Sequence, residues 1–330
     1  MIRFLKSLQP ATLIIVPIII FIFWIRILFH TSPVSDLKIL PVWAAISYFL
    51  TGLPSWINFI LLFGLINTEA IYLNLMINRH EVHYKNTFLP AFVFALFISS
   101  TPALMQFHPV HLINLILLVI IDRAFTLFKN EFPVSALFDC GFLAGTAALI
   151  YFPALILLPF LLTILFVLRP FSLKEWLITL IGIFLPCFFI STYMFWNHAL
   201  LPFWKSYFSF FDDIHPQILI QKNLKILILA ISIGILLILS LLKLRMNYRK
   251  NIIRTRSYQQ VFFILLIFGA AWLMLAGRIE IIHFTFLIIP VSVFCSYYFV
   301  SAKKGKWLYE YVLWGLIAVI IWNHLTGPLI

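Results

Sequence analysis

Residues 138–171 read FDCGFLAGTAALIYFPALILLPFLLTILFVLRPF and decide how the chain is organised. The stretch contains one acidic residue near its start and one basic residue near its end. A membrane crossing needs roughly 20 apolar residues, so the stretch is too long for one crossing and long enough for two short ones. Pro153 lacks a backbone donor and disfavours helix at Phe152. We therefore expect a packed helical hairpin that turns near Tyr151, with the other helices gathered around it.

Two glycines in the first half of this stretch predict a close helix–helix contact. Gly141 and Gly145 are four residues apart, so they lie on one face of a helix. Small residues at this spacing allow the backbone of a neighbouring helix to approach. Lys174 and Glu175 follow the hairpin and indicate that the chain has returned to the side where the hairpin began.

The composition excludes a soluble globular domain. Hydrophobic residues make up 63% of the chain and charged residues only 10%, too few to cover the surface of a soluble protein of this size. Trp and Tyr cluster at the ends of apolar runs, as they do at lipid headgroup level. We predict an all-α, polytopic transmembrane helical bundle, with residues 1–330 forming a single integral membrane domain.

The apolar segments predict about eleven membrane spans, with the N-terminus inside, in the cytoplasm, and the C-terminus outside. These spans are residues 11–29, 56–76, 88–105, 111–128, the two halves of the hairpin, 176–196, 224–244, 261–276, 283–301 and 308–322. Residues 42–53 are apolar but too few to span. They predict an interfacial or re-entrant helix on the outer face.

The formal net charge of +12 is explained by the positive-inside rule rather than by binding to nucleic acid. In the predicted topology 17 of the 23 Lys and Arg residues lie on the inner side. The other six are Arg26, Lys38, Lys205, Lys222, Lys225 and Arg278. The bias supports the orientation. Merging the hairpin into one crossing would reverse every later segment and place the basic run at residues 245–256 outside.

Charges inside predicted spans are costly and mark functional sites by default. Glu69 lies well inside the second span and either lines a cavity or packs as a neutral, hydrogen-bonded residue. Asp122 beside Arg123 is interpreted as a structural pair, and Asp139 as a residue that favours the positive end of its helix dipole. The three cysteines lie in apolar runs without metal-ligand spacing and are interpreted as buried thiols: Cys140, Cys187 and Cys295.

Six ionisable residues fall in the predicted outer loops and form the candidate site: Asp36, Asp212, Asp213, Arg278, Glu280 and His283. A carboxylate on one wall and cations on another suit transfer of a group from a lipid phosphate. Asp36 would take a proton from the acceptor as catalytic base, while Arg278 and His283 would hold the leaving phosphate. Asp212, Asp213 and Glu280 are further substrate-binding candidates. For each residue the alternative is an ordinary charge on a soluble loop.

Common catalytic motifs are absent from the sequence. It contains no phosphate-cradling glycine loop, no paired cysteines, no nucleophile elbow and no zinc-protease helix. No cofactor is predicted, and the need for a divalent metal stays open.

Two resemblances follow from particular residues. Residues 86–196, beginning NTFLPAFVFALFISSTPALMQF, together with HFTFLIIPVSVFCSYYF at 283–299, resemble an uncharacterised family of bacterial polytopic inner-membrane proteins. The layout is also similar to that of the GT-C superfamily of polyprenyl-phosphate-sugar-dependent glycosyltransferases. The positions that match this layout are Asp36 after the first span, the short helix at 42–53, Gly141 and Gly145 in mid-chain, and Arg278 or His283 ahead of Pro290 in a late span.

The GT-C resemblance implies a glycosyltransferase-like protein that transfers a sugar from a polyprenyl-phosphate carrier on the outer face of the membrane. One alternative is a non-catalytic accessory or scaffold subunit of an inner-membrane complex. Another is a transporter, although the sequence shows no convincing internal repeat. The expected partners are membrane lipid, a polyprenyl-phosphate sugar and other membrane proteins, but not nucleic acid. The enzyme hypothesis predicts that the six outer residues converge on one cavity.

Overall fold

The computed structural model describes residues 5–6, 11–28, 40–128, 130, 133–212, 217–218, 224–275, 278–301 and 307–326. The helices in these ranges are α1 (Ala11–Leu28), α2 (Pro41–Thr51), α3 (Ser55–Arg79), α4 (Leu89–Ile98), α5 (Pro109–Phe125), α6 (Val134–Ile150), α7 (Leu157–Leu168), α8 (Leu173–Trp196), α9 (Leu200–Asp212), α10 (Leu224–Asn247), α11 (Ile253–Leu275), α12 (Thr285–Val300) and α13 (Trp307–Thr326).

Short 3₁₀ helices connect several of these elements within the same ranges: Pro102–Met105, Phe152–Ile156, Tyr248–Lys250 and Ile281–Phe284. The extended segments β1 (Gln217–Ile218) and β2 (Arg278–Ile279) form a parallel pair. The predicted all-α architecture is confirmed, with this two-residue pairing as an addition to it.

Five of the described helices are long and apolar enough to cross a membrane. They are α3, α8, α10 with the 3₁₀ turn that follows it, α11, and α12 with the 3₁₀ turn that precedes it. The chain is therefore a helical protein of membrane type. Other apolar helices, including α6 and α7, are shorter, so the expected count of eleven spans stays a prediction.

The hairpin predicted at residues 138–171 is confirmed. Helix α6 ends before Tyr151, whose backbone is extended (φ −145°, ψ 117°), and a 3₁₀ helix leads into α7. Proline is tolerated in the first turn of such a helix because no donor is needed there, which suits Pro153. After α7, Nη1 of Arg169 donates to the carbonyl oxygens of Leu127 at 2.9 Å and Asn130 at 2.6 Å. The chain has thus returned to the end where α6 begins.

Helix α8 is the neighbour that approaches the two glycines of α6. A Cβ atom on Gly141 would lie 2.2 Å from the carbonyl oxygen of Thr179, and one on Gly145 would lie 2.3 Å from that of Ile183. On α8, a Cβ atom on Gly182 would lie 2.6 Å from a carbonyl oxygen of α6. Real Cβ atoms essentially never come this close to another atom. The predicted close-packing stripe is confirmed, and it is shared by both helices.

Helices α4 and α12 form the centre of the bundle, while α8 and α10 lie at its periphery. Every residue of α4 is buried, and nearly every residue of α12 is buried as well. In contrast, α8 and α10 expose many large apolar side chains. In a membrane those faces contact lipid, which is as apolar as the side chains themselves.

The bundle has two chemically different ends. We call the end that carries Arg79, Arg169 and Arg254 the basic end, and the end that carries His108 and His283 the histidine end. Helix α5 runs between them, because it starts directly after His108 and ends near Arg79.

Asp122 is held by the end of α3 rather than by Arg123. Three side chains contact its carboxylate at 2.7–3.1 Å: Tyr72, Arg79 and His80. Nε of Arg123 instead lies 3.9 Å from Oδ2 of Asp139. The predicted Asp122–Arg123 pair is therefore wrong. Adjacent residues on a helix point in different directions, so each contacts a different neighbouring helix.

The span predicted at residues 88–105 is wrong as a continuous helix. Helix α4 ends at Ile98, and a separate 3₁₀ helix starts at Pro102. Thr101 is extended (φ −142°, ψ 143°), as expected for a residue that precedes proline.

Side chains from α1 and α13 form hydrogen bonds with the residues at this break. Nδ2 of Asn323 donates to the carbonyl oxygen of Ser100 at 2.8 Å, and Nε2 of His324 lies 2.5 Å from the carbonyl oxygen of Ser99. The indole of Trp24 donates to the Ser99 hydroxyl at 3.2 Å. The first and last described helices therefore meet at the end of α4.

Two helices that do not span the bundle pack together at the histidine end. Helix α2 confirms that a short helix forms near residues 42–53. Leu40, just before it, lies in one apolar cluster with Leu149 at the end of α6 and with Phe203 and Tyr207 of α9. The Tyr207 hydroxyl also donates to the carbonyl oxygen of Leu149.

Two helix ends place a residue other than glycine in the left-handed region: Glu81 after α3 (φ 55°) and His198 after α8 (φ 54°). After α8, the His198 N–H donates to the Phe195 carbonyl at 3.1 Å and the Ala199 N–H to the Met194 carbonyl at 2.9 Å. This is the Schellman pattern, in which glycine is the usual residue. An L side chain costs about 1–2 kcal/mol in that conformation.

Candidate functional site

Two of the predicted outer segments lie side by side. In the parallel pairing of β1 with β2, Gln217 is opposite Arg278 and Ile218 is opposite Ile279. Asp212 ends α9 shortly before β1. Part of the largest predicted outer loop therefore lies beside the turn that carries Arg278.

Only two of the six predicted site residues have described side chains. Asp36 and Asp213 lie outside the described residues, and Asp212 and Arg278 are described by their backbone only. Glu280 and His283 are described in full. The predicted convergence of all six residues therefore stays a prediction.

Glu280 and His283 form a reciprocal cap at the 3₁₀ helix that precedes α12. The Glu280 side chain accepts from the His283 backbone N–H, and the Glu280 backbone N–H donates to Nδ1 of His283 at 3.2 Å. Because Nδ1 accepts a hydrogen bond, the ring hydrogen of His283 is on Nε2. That nitrogen lies 2.7 Å from the hydroxyl oxygen of Tyr151. Nε2–H therefore donates to Tyr151, and the hydroxyl hydrogen of Tyr151 can be donated elsewhere.

His108 provides a second hydrogen-bond donor beside Tyr151 and His283. Its Nδ1 accepts from the Val110 N–H at 3.1 Å, which caps α5, so the ring hydrogen of His108 is on Nε2. Nε2 has no hydrogen-bond partner among the described residues. The ring of His108 lies edge-on to the rings of Tyr151 and His283, with centroids 5.5 Å and 5.4 Å away. All three side chains are buried.

These three residues, His108, Tyr151 and His283, form what we call the histidine cluster. It offers two uncommitted hydrogen atoms, one from the Tyr151 hydroxyl and one from Nε2 of His108. A buried donor without a partner costs about 1–3 kcal/mol, so the arrangement is costly for a purely structural role. Neutral donors in apolar surroundings suit oxygen atoms that carry negative charge, such as those of a phosphate.

Glu69 and His111 form a second polar contact in the bundle interior. Oε1 of Glu69 lies 3.9 Å from Nδ1 of His111, and both side chains are fully buried. Neither carboxylate oxygen of Glu69 has a hydrogen-bond partner in the part of the chain that the structure describes. Two roles were predicted for Glu69, lining a cavity or packing as a neutral, hydrogen-bonded residue. The described residues do not provide the hydrogen bonds that the packing role requires.

The described residues do not contain a group of three or more His, Cys, Asp or Glu side chains that could hold a metal ion. The need for a divalent metal at the undescribed acids stays open.

Sequence reasoning missed His108 as a candidate and assigned Tyr151 only to the turn of the hairpin. The available signal was weak: His108 and His111 are three residues apart at the start of a helix, and Tyr151 is the turn residue of the hairpin. His283 lies 132 positions from Tyr151, so only the folded arrangement shows that these residues meet.

Comparisons with protein-family models, with curated proteins and with solved structures find no match to this chain.

Proposed function

We propose that the chain is an integral membrane glycosyltransferase-like protein with a GT-C-like layout of about eleven spans. It transfers a sugar from a polyprenyl-phosphate carrier at the histidine end, which we assign to the periplasmic face of a bacterial inner membrane. The proposal also includes membership of the uncharacterised family of bacterial inner-membrane proteins that the sequence resembles.

The observation that carries the proposal is the pair of uncommitted donors in the histidine cluster. Tyr151 and His108 are neighbouring buried side chains that each offer a hydrogen atom, which suits the oxygens of a phosphate leaving group. The β1–β2 pairing supports it further, because it brings the backbone of Arg278 to the segment that follows Asp212.

In the proposed reaction an acceptor oxygen forms a bond to the anomeric carbon of the sugar while the bond from that carbon to the carrier phosphate breaks. The carboxylate of Asp36 takes the acceptor proton, and the phosphate leaves with the bonding electron pair. Arg278, the Tyr151 hydroxyl and Nε2–H of His108 bind that phosphate, and Asp212 and Asp213 are further substrate-binding groups. Glu280 acts as a positioning residue, because its contacts fix the tautomer and orientation of His283.

The orientation is supported by the basic end. Arg79, Arg169 and Arg254 lie there, as do Arg245 and Lys250 at the end of α10. Cytoplasmic loops carry such an excess of basic residues, so the opposite, histidine end is assigned to the periplasm.

The test uses cells that lack the native copy and carry the wild-type chain, Asp36→Asn or Lys205→Gln. Lys205 is an exposed residue of α9 and serves as a control for loss of a charge in the outer loop. A positioned base contributes typically 10²–10⁴-fold to rate. Asp36→Asn should therefore accumulate the polyprenyl-phosphate sugar while the protein itself reaches normal membrane levels, whereas Lys205→Gln should behave as wild type.

Full complementation by Asp36→Asn would remove Asp36 as the base. If neutralisation of Asp212, Asp213 and Glu280 were equally silent, and if deletion of the whole chain left the lipid-linked sugars unchanged, the accessory-subunit alternative would replace the enzyme proposal.

A further inference from the structure

A cavity of about 610 Å³ opens at the basic end, away from the histidine cluster. Its wall is formed by the turn between α3 and α4, by the turn between α10 and α11 and by Lys6 near the N-terminus. The volume lies in the range of pockets that bind small ligands, about 300–1,000 Å³.

The wall of this cavity is rich in positive charge. Lys6, Lys85 and Lys250 line it from three separate segments of the chain. The acidic residue in the wall is Glu81, whose carboxylate is paired with the guanidinium of Arg254. Its charge is therefore already compensated, and Lys85 and Lys250 are exposed cations of the same wall.

The positive charges of Lys6 and Lys85 repel each other. Partial burial lowers the pKa of Lys6, and the positive charge of Lys85 lowers it further. Two like charges held close together in a partly buried site destabilise each other, and an anion between them would remove that cost.

His83 provides a buried polar group in the same wall. Its side chain is almost fully buried, and Nε2 lies 3.0 Å from the hydroxyl oxygen of Ser296. Nδ1 has no hydrogen-bond partner of acceptable geometry among the residues described. Burial lowers the pKa of His83 to about 4, with the Val82 carbonyl opposing the shift, so the ring is neutral at neutral pH.

Hydrogen bonds hold the two turns of the wall together. Thr255 Oγ1 donates to the Glu81 carbonyl at 3.1 Å, and Nε2 of Gln259 donates to the Val82 carbonyl at 3.1 Å. Nδ2 of Asn251 in turn donates to Oε1 of Gln259 at 3.1 Å. The start of α11 is therefore fixed against the α3–α4 turn, and the cavity is preformed.

We propose that this cavity binds a phosphate group, with Lys6, Lys85 and Lys250 as the cations. Lysine binds phosphate as a point charge, and basic groups near the ends of spans attract anionic lipid headgroups. The phosphate can belong to such a headgroup or to a soluble molecule. The site is independent of the proposed sugar transfer, because it lies at the other end of the bundle.

The test is a titration of the detergent-purified full chain with three ligands, followed by native mass spectrometry. The ligands are short-chain phosphatidylglycerol, short-chain phosphatidylcholine and inorganic pyrophosphate. The variant is Lys85→Gln with Lys250→Gln, since both lysines are exposed and their replacement leaves the core intact. The matched control is Lys174→Gln with Arg245→Gln, which removes the same charge from exposed residues outside the cavity wall.

We expect the wild type to prefer phosphatidylglycerol or pyrophosphate over phosphatidylcholine. Each cavity lysine should contribute about fivefold to affinity, so the cavity variant should bind roughly 25-fold more weakly, while the matched control should bind as the wild type. Phosphatidylglycerol binding assigns the site to a lipid headgroup, and binding of pyrophosphate alone assigns it to a soluble phosphate. Equal affinity of the cavity variant and the matched control for every ligand would overturn the proposal.

Discussion

The hydroxyl oxygen of Tyr151 lies 2.7 Å from Nε2 of His283, although 132 positions separate the two residues. The contact joins the turn of the central hairpin to the start of α12, the helix at the centre of the bundle. It also directs the hydroxyl hydrogen of Tyr151 away from His283, because the ring of His283 is already the donor.

Tyr151→Phe should destabilise the chain. The change leaves the buried Nε2–H of His283 without its acceptor, which costs about 1–3 kcal/mol. The thermal unfolding midpoint in detergent measures the loss. Tyr48→Phe is the control, because the side chain of Tyr48 is highly exposed, and it should leave the midpoint unchanged. An equal midpoint for both variants would contradict the assigned hydrogen bond.

Gly145→Ala should destabilise the chain, because its Cβ would have to displace the backbone of α8 at Ile183. Overpacking of this kind costs about 1–3 kcal/mol. Gly234→Ala in α10 is the matched control, since nothing lies within 4 Å of its added Cβ. It should stabilise its helix by about 0.5–1 kcal/mol. Unfolding midpoints that move in opposite directions confirm the contact, and a harmless Gly145→Ala would disprove it.

His198→Gly should stabilise the end of α8. Glycine adopts the left-handed conformation without the cost of about 1–2 kcal/mol that an L side chain meets there, although its freedom in the unfolded chain offsets part of this gain. His198→Val should destabilise, because a β-branched residue tolerates positive φ poorly. The two variants are compared by their unfolding midpoints. A destabilised His198→Gly would mean that the histidine side chain makes a contribution of its own.

His83 should make stability fall as the pH is lowered from about 6.5 to about 4. Its folded-state pKa of about 4 lies below its ordinary value of about 6.5. In this range the unfolded chain binds a proton at His83 that the folded chain does not, so acid favours unfolding. Unfolding midpoints across the range should decline less steeply for His83→Gln than for the wild type. Parallel curves would show that His83 titrates normally in the folded chain.

The proposed orientation predicts where a reporter enzyme works. A reporter that is active only outside the cytoplasm should be active when fused after Lys205 and inactive when fused after Arg249, because basic residues accumulate on the cytoplasmic side. The reverse pattern would overturn the orientation and move the histidine end to the cytoplasm.

Local signals in the sequence were enough to predict the hairpin and its contact surface. Pro153 determines where α6 gives way to the 3₁₀ turn, and Gly141 and Gly145 mark the face that another backbone approaches. The identity of that neighbour did not follow from the sequence. Any of several helices could have presented a carbonyl to the glycines, and Gly182 alone did not single out α8.

Contacts between distant parts of the chain could not be predicted in the same way. Asp122 has Arg123 as its sequence neighbour but is bound by α3, because helix geometry directs adjacent side chains to different partners. The break after Ile98 was also missed, although the polar residues Ser99, Ser100 and Thr101 ahead of Pro102 mark it. His108 becomes a candidate residue only when α5, the hairpin turn and the 3₁₀ helix before α12 are seen together.

The break after α4 has a consequence for biosynthesis. The donors for the Ser99 and Ser100 carbonyls come from His324 and Asn323, more than 220 positions later in the chain. At a synthesis rate of about 5–20 residues per second, these donors emerge roughly 10–45 s after their acceptors. During that interval the two carbonyls have to accept hydrogen bonds from water or from other proteins. A ribosome that stalls before α13 therefore leaves these two carbonyls without the donors that the folded chain provides.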